Sequence, residues 1–242
     1  MQRGMLRSIR SFNAMKKITS IILCLSLLLL SACSASNVDA MSSAKYTKQT
    51  IDQSVKYGNA KGEVYYQRIQ LKGENKASNK INKAIQKDCN KFLKSRLARE
   101  IKEFTKNYPK EKNTYHWRAK SSVKYNKKSV ISIRVQTEWW EGGVSNTDRY
   151  GLNYSLKTGK KLHVNEVCKK SKKRIKKILY KSIKNRVKKQ QEDERALKEI
   201  KKKKVKKLNF YIKKNGNVIV TFGPYEIGAG GWYREYKVGK IR

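Results

Sequence analysis

The order of apolar and polar residues along the chain predicts several strands and two long helices. Residues 57–73 (YGNAKGEVYYQRIQLKG) begin with turn residues and end at a glycine, and the residues between them follow an alternating pattern. This pattern predicts a first strand. From Ser78 to Tyr108 the apolar residues recur every three to five positions, which predicts one long amphipathic helix that ends before Pro109. The apolar residues on this stripe are Ile81, Ile85, Cys89, Phe92, Leu97, Ile101, Phe104 and Tyr108.

The rest of the chain predicts two hairpins and a second helix. Residues 115–123 and 130–140 alternate in the manner of half-buried strands, and the linking YNKKS predicts a hairpin. A further strand follows at residues 150–156. Another hairpin is predicted around Asn215-Gly216, and EYKV supplies a last strand. Between these strands, five apolar residues at helical spacing predict the second helix: Ile175, Ile178, Leu179, Ile183 and Val187.

This order of elements predicts an α+β fold. Two helices lie between groups of strands joined by short turns, which indicates a mainly antiparallel sheet with two long helices packed on one face. We expect an N-terminal α+β subdomain at 55–145 and a C-terminal domain at 146–242.

The N-terminus resembles an export signal of the bacterial lipoprotein type. Five basic residues (Arg3, Arg7, Arg10, Lys16, Lys17) precede the apolar run 18–30, and the small-residue segment LSAC follows. The resemblance implies that residues 1–32 are removed and that Cys33 carries a diacylglyceryl anchor with palmitate-type chains. Residues 33–54 would then be a tether on the outer face of the cell membrane. A plain secretory signal remains the alternative, and MKKITSII leaves Met15 open as a second start.

The charge of the chain favours a polyanionic partner. The formal net charge is +41, and removal of the five basic residues in 1–32 leaves +36. Inside a cell this charge would indicate nucleic acid. Outside it, the available polyanions are anionic headgroups and the phosphate-rich or carboxylate-rich polymers of a bacterial wall, so nucleic acid is unlikely.

The second helix is the most basic part of the chain. Residues 169–207 contain 20 basic and 4 acidic residues. We expect six lysines of this helix to bind a polyanion, although a solvated outer face is the alternative for such a run. The six are Lys172, Lys173, Lys176, Lys177, Lys184 and Lys188.

Two cysteines remain for the folded body, Cys89 and Cys168. In an oxidising compartment they could pair, and we predict a disulfide between them, with two buried free thiols as the alternative. The chain has no CxxC spacing and only two histidines, so a zinc site lacks support and we expect no cofactor or metal.

Two segments of the C-terminal half are similar to a known family. The segments YGLNYSLKTGKK (150–161) and FGPYEIGAGGWYREYKV (222–238) resemble the domain of unknown function shared by a lysozyme-responsive anti-sigma factor (RsiV-like) and a peptidoglycan deacetylase (PdaC-like). Six residues match the late family motif: Phe222, Pro224, Tyr225, Glu226, Ile227 and Gly228. The strand and helix around Ile81 resemble the smaller domain that often precedes it.

One position departs from the family pattern. Where relatives carry a histidine after the hairpin, Gly142 and Gly143 are followed here by Val144 and Ser145, so a role for that histidine is not expected. We expect no deacetylase domain after Arg242 and no cytoplasmic segment, and hence a protein that is not an enzyme. Glu138, Glu141 and Asp148 keep open the acid and base pair of a glycoside hydrolase.

We therefore expect a lipid-anchored, non-catalytic binding protein of the cell envelope. Its ligand would be an anionic wall polymer, peptidoglycan or the membrane surface. Residues in or beside glycine-rich turns could contact it: Trp139, Trp140, Gly142, Gly143, Tyr225, Trp232 and Tyr233. For each of the aromatic rings, the alternative is a structural role in which the ring caps the open end of the sheet. The resemblance implies a lysozyme-type muramidase as the alternative partner, but two cationic proteins would repel each other.

Overall fold

The computed structural model describes residues 43–228 and 231–241. The export-signal segment, Cys33 and the first part of the tether lie outside the described residues. No helix in the part of the chain that the structure describes is both long and apolar enough to cross a bilayer.

The larger sheet, sheet A, has six strands: β1 (Tyr46–Asp52), β2 (Val55–Tyr57), β3 (Ala60–Leu71), β4 (Thr114–Lys127), β5 (Val130–Trp140) and β6 (Ser145–Ser155). Their order is β1-β3-β4-β5-β6, and β2 also pairs with β3. Four of the five pairings are antiparallel, and only β3 and β4 run parallel. Between those two strands the chain crosses over through helices, as a parallel pair requires.

The crossover consists of two helices, α1 (Lys76–Leu93) and α2 (Arg96–Asn107). The single helix predicted from Ser78 to Tyr108 is therefore wrong in one respect. Ser95 begins a new helix because its hydroxyl accepts a hydrogen bond from the backbone N–H of Ala98 at 3.2 Å. The break turns the apolar stripe, so that both helices bury it against one face of sheet A.

Sheet B consists of β7 (Asn209–Ile212), β8 (Asn217–Phe222) and β9 (Arg234–Lys240), which confirms the predicted late hairpin and last strand. Three helices precede it: α3 (Val164–Cys168), α4 (Lys172–Lys188) and α5 (Arg195–Lys202), followed by a 3₁₀ turn at Val205–Lys207. The apolar side chains of α4 and α5 pack on sheet B in a second hydrophobic cluster.

Sheet B lies across the face of sheet A that α1 and α2 leave open. The side chain of Asn153 on β6 donates to the carbonyl oxygen of Phe210 on β7 at 2.6 Å, and the backbone N–H of Ile212 donates to Ser132 Oγ on β5 at 2.8 Å. At Gly151 an added Cβ would lie 1.6 Å from the Phe210 carbonyl oxygen, so only glycine permits this approach. The layers are therefore helix, sheet, sheet and helix.

This architecture confirms the α+β class with a mainly antiparallel sheet. The expectation that the helices pack on one face is wrong, because α1 and α2 pack on sheet A whereas α4 and α5 pack on sheet B. Two further details were not predicted. β1 falls within residues 33–54, the range expected to be a tether, and its residues pair with β3 from Tyr46↔Leu71 to Asp52↔Tyr65. β6 begins at Ser145 rather than at Tyr150, because its first residues pair with the end of β5.

The predicted disulfide is not formed. Cys89 on α1 belongs to the cluster between sheet A and its helices, and Cys168 at the end of α3 belongs to the cluster around sheet B. Both are buried free cysteines. Burial raises the pKa of each thiol, which keeps them protonated and unreactive.

Candidate functional site

Two loops that contain the predicted contact residues meet beside the start of β6. The turn after β5 carries Gly142 and Gly143, and the loop after β8 carries Tyr225 and Trp232. Trp232 forms an isolated parallel bridge with Thr147 of β6. An added Cβ at Gly231 would lie 3.0 Å from the Tyr225 hydroxyl and 3.7 Å from the side-chain amide of Asn146, the cross-strand partner of Trp139. We name this region the aromatic end and define it as Trp139, Val144, Tyr225 and Trp232.

The rings of this region differ in their accessibility. Tyr225 is 70% exposed, Val144 62% and Trp232 57%, the three highest values among the large apolar side chains that the structure describes. Trp139 is half-buried. The aromatic end therefore offers three exposed apolar side chains to a ligand, two of them rings that could stack on a sugar.

Two of the rings predicted as contacts already lie against other side chains of the protein. Trp140 stacks on Tyr115 with ring centroids 5.8 Å apart. Tyr233 is covered by the guanidinium of Arg149, which lies 4.1 Å from the centroid of its ring. Both rings are half-buried, and their faces already have partners, so they are poorly placed to stack on a ligand.

The late family motif is largely structural. Phe222 and Ile227 are buried in the cluster around sheet B. Glu226 accepts from the Gly223 backbone N–H at 2.9 Å and pairs with Lys203 at 2.8 Å, which closes the turn. Tyr225 stands at φ +58°, in the left-handed region, and this places its ring outside the turn.

The basic helix α4 has a buried and an exposed side. Ser171 begins the helix by accepting from the Arg174 backbone N–H at 3.2 Å, and Ile175, Leu179 and Ile183 face the core. Five of the six lysines predicted to bind a polyanion are exposed: Lys172, Lys173, Lys177, Lys184 and Lys188. The structure describes no acidic residue within α4 and no ion pair of these five lysines.

Lys176 differs from the other five. It is half-buried, and its ammonium group donates a hydrogen bond to the carbonyl oxygen of Lys201 at the C-terminal end of α5. A cation at that position satisfies a helix-end carbonyl and complements the helix dipole. This hydrogen bond links α4 to the end of α5, and the expected role of Lys176 as a ligand contact stays a prediction.

Two of the three carboxylates considered for catalysis, Glu138 and Asp148, do not face each other. Cross-strand partners share a face of a sheet, and Glu138 lies opposite Thr147 while Asp148 lies opposite Thr137. Since successive residues of a strand point to opposite faces, Glu138 and Asp148 are on different faces of sheet A. Glu138 is engaged by Arg118 at 3.2 Å. The arrangement does not form the facing pair that glycoside cleavage requires.

The environment of Asp148 shifts the pKa of its carboxyl group. Burial raises its pKa, the backbone N–H of Arg149 lowers it through a hydrogen bond of 2.6 Å, and the nearby charge of Glu226 raises it. Within residues 43–228 and 231–241, no group of three or more metal-ligating side chains could hold an ion.

Two family models match successive parts of the chain. Residues 42–145 match the model described as "Deacetylase PdaC", and residues 161–231 match the model described as "Protein of unknown function (DUF3298)". The chain therefore combines a PdaC-type region with a DUF3298-type region, and the PdaC-type region contains sheet A up to β5 with α1 and α2. These two matches confirm the resemblance predicted from the sequence. The sequence motifs placed that resemblance mainly in the C-terminal half, whereas the PdaC model covers the N-terminal half.

Solved structures share this fold. A DUF3298 family protein from Bacteroides fragilis superposes with a TM-score of 0.55 at 12% identity, over 82% of this chain and 91% of that one. A DUF3298 family protein from Pseudomonas aeruginosa PAO1 gives a TM-score of 0.50 at 12% identity, over 82% of this chain and 94% of that one. The comparison with curated proteins gives no match. At these identities the similarity establishes the fold.

Proposed function

We propose that this protein is a non-catalytic binding module of the bacterial cell envelope, anchored through Cys33 to the outer face of the membrane, and that it binds an anionic wall polymer. The lysines of α4 supply the attraction, and the rings of Tyr225 and Trp232 supply a contact for the sugar or polyol units of the polymer. An anionic wall polymer has both features, the negative charge and the sugar or polyol units.

The observation that carries this proposal is that all the charged residues of α4 have the same sign. This helix has nine basic residues and no acidic one, and six of its lysines extend into solvent without an ion pair in the described structure. A surface of one sign repels itself, whereas soluble domains ordinarily mix the two signs. Attraction to a polyanion offsets that repulsion.

Replacement of five of the exposed α4 lysines by glutamine tests the proposal. The variant is Lys172→Gln, Lys173→Gln, Lys177→Gln, Lys184→Gln and Lys188→Gln in the full chain. The matched control replaces five exposed lysines of α1, on the opposite side of the molecule, and removes the same charge: Lys76→Gln, Lys80→Gln, Lys83→Gln, Lys87→Gln and Lys91→Gln.

Binding to purified anionic wall polymer is then measured by co-sedimentation at about 50 and 300 mM salt, a range over which screening of exposed charges is strong. We expect the α4 variant to bind at least about tenfold more weakly at low salt, since each lysine near an anionic surface contributes on the order of 1 kcal/mol. The control should bind nearly as wild type. Equal losses of polymer binding in both variants would show that the effect depends only on net charge, and would overturn the assignment of the binding surface to α4.

Binding of a lysozyme-type muramidase is the second candidate, and the exposed aromatic end is the observation that favours it. Contiguous exposed apolar side chains mark many protein interfaces, and aromatic residues are enriched there. Like charge opposes this candidate. A complex with lysozyme that persists at 300 mM salt and is lost in Trp232→Ala would favour it over the polymer.

A further inference from the structure

A cleft of about 690 Å³ lies where sheet B crosses sheet A, away from α4 and from the aromatic end. Its walls come from three separate parts of the chain: β4 at residues 123–127, Arg134 on β5, and Tyr211 with the turn after β7. Tyr46 at the start of β1 completes its rim. We name it the basic cleft.

Five cationic side chains line the basic cleft: Lys124, Lys127, Arg134, Lys213 and Lys214. None of the described lining residues is acidic. The hydroxyl of Tyr211 donates to Glu235 at 3.2 Å, and this carboxylate also pairs with Arg149 at 3.4 Å. The cleft therefore concentrates positive charge that nearby carboxylates do not neutralise.

Arg134 is the central donor of this cleft. Its guanidinium carbon lies 5.9 Å from the centroid of the Tyr211 ring, which supports one face of the group. Its Nε atom is buried and has no hydrogen-bond partner among the described residues. A buried N–H without an acceptor is costly, and a bound anion would satisfy it.

Lys124 adds a second, partly buried cation. Burial lowers its pKa, and the charges of Arg134, Arg149 and Lys48 lower it further. These four cations come from β4, β5, β6 and β1, so the positive charge extends from the cleft across several strands of sheet A. Such a field favours a ligand with more than one negative charge.

The backbone around the cleft is fixed rather than loose. β4 has a register shift between Val123 and Tyr125, where it bulges next to Lys124. The turn after β7 closes through the Gly216 N–H, which donates to the carbonyl oxygen of Lys213 at 2.8 Å. Bulges commonly redirect a side chain at the border of a sheet, and here the bulge turns the β4 residues to line the cleft.

The cleft also lies next to the point where the folded body begins. Both backbone groups of Ala44 bond to the side chain of Asn126, at 2.9 and 2.7 Å, and Asn126 is itself a wall residue. The eleven residue-to-residue steps from Cys33 to Ala44 span at most about 40 Å when fully extended. An anchor at Cys33 would therefore keep the cleft close to the membrane surface.

We propose that the basic cleft is a binding site for phosphate groups, such as those of a phosphodiester polymer. A guanidinium with a fixed plane and four ammonium groups matches the several oxygens of phosphate, since arginine binds them in pairs and lysine binds them as a point charge. The volume accommodates more than one phosphate group, and Tyr46, Tyr125 and Tyr211 give apolar walls for the carbon units between them.

This site deepens the proposed function, but its test does not depend on that function. Titration of the full chain with inorganic tripolyphosphate, followed by calorimetry at about 150 mM salt, measures the number of sites and their affinity. If α4 does not bind wall polymer, the cleft can still bind this small anion. If the cleft does not bind tripolyphosphate, polymer binding by α4 remains testable by co-sedimentation.

Arg134→Gln removes the central donor, and Lys213→Gln with Lys214→Gln removes two exposed cations on a turn, where the fold tolerates substitution. The control is Lys87→Gln with Lys91→Gln on α1, which removes the same charge as the turn variant. We expect one tight site in wild type and in the control, at least about tenfold weaker binding in Arg134→Gln, and several-fold weaker binding in the turn variant. Unchanged melting temperatures show that the variants fold.

Two further probes identify the source of the phosphate. Competition by poly(glycerol phosphate) and binding to phosphatidylglycerol vesicles, each compared in wild type and the turn variant, distinguish a polymer from a lipid headgroup. Binding of either the polymer or the vesicles that is weaker in the turn variant than in wild type supports the phosphate site. Many weak sites for tripolyphosphate, affected equally by the cleft variants and by the α1 control, would overturn it.

Discussion

The guanidinium Nε of Arg234 donates to Glu192 Oε1 at 2.7 Å, and the two side chains are 1% and 0% exposed. Glu192 lies in the connection between α4 and α5, and Arg234 is the first residue of β9, so this buried ion pair joins the helical layer to sheet B. The hydroxyl of Tyr236 donates to the other oxygen of Glu192 at 2.7 Å. The Trp232 ring, 5.1 Å from the Arg234 guanidinium, is positioned by the same pair.

Glu192→Gln should destabilise the protein by about 3 kcal/mol, because removal of one charge leaves the other buried without its counter-ion. Urea unfolding followed by circular dichroism measures the loss, and Trp232 emission should shift as its support loosens. Glu194→Gln is the control, since Glu194 lies two residues away and is exposed. Equal stability of the two variants would show that the pair contributes little.

The hydrophobic pattern predicted most of the elements because each strand or helix buries one face of its own sequence. The helix break at Ser95 was missed because the apolar stripe continues across it. A local signal exists, since Ser95 also accepts from Trp117 Nε1 at 3.2 Å and serine favours N-caps, but such a signal is weaker than an uninterrupted stripe.

Relationships between distant segments could not be read from local pattern. The parallel pairing of β3 with β4 and the crossing of the two sheets depend on tertiary packing. The basic cleft shows the same limit, because Lys124, Arg134 and Lys214 are ordinary surface cations until the fold brings β4, β5 and the turn after β7 together. The charge of α4 was visible in the sequence because its residues are consecutive.

Gly151→Ala should destabilise the protein by about 3 kcal/mol or more, because the new methyl group would meet the Phe210 carbonyl oxygen and force the sheets apart. Gly143→Ala is the control, since an added Cβ there meets nothing within 4 Å. Thermal unfolding of both variants checks the difference. A Gly151→Ala protein as stable as the control would contradict the close packing of β7 on β6.

Cys89 and Cys168 should remain free thiols in the purified full chain. We expect an alkylating reagent to label neither residue in the folded protein and both after unfolding in urea without reductant, because each thiol is buried in its own cluster. Peptide mass mapping reads the result. Detection of two peptides linked through these cysteines would show that the disulfide forms, and would contradict the burial of the two thiols in separate clusters.

Asp148→Asn should leave the protein at least as stable as wild type at neutral pH. Burial raises the pKa of Asp148 in the folded state, so the folded protein binds this proton more tightly than the unfolded chain does. The stabilising contribution is therefore complete below the ordinary aspartate pKa of about 4 and is lost as pH rises through the raised value. Asparagine keeps the oxygen that accepts the Arg149 N–H bond and does not ionise.

The difference in unfolding free energy between the Asp148→Asn variant and wild type should thus grow in favour of the variant as pH rises from about 4 to 7. Asp52→Asn provides a contrast of opposite sign. The Ser54 hydroxyl donates to Asp52 and lowers its pKa, so this carboxylate stabilises the fold above the ordinary aspartate pKa, and its loss should weaken the protein at neutral pH. Urea unfolding at a series of pH values measures both differences. A difference for Asp148→Asn that is flat with pH would show that its carboxylate is solvated in the folded state.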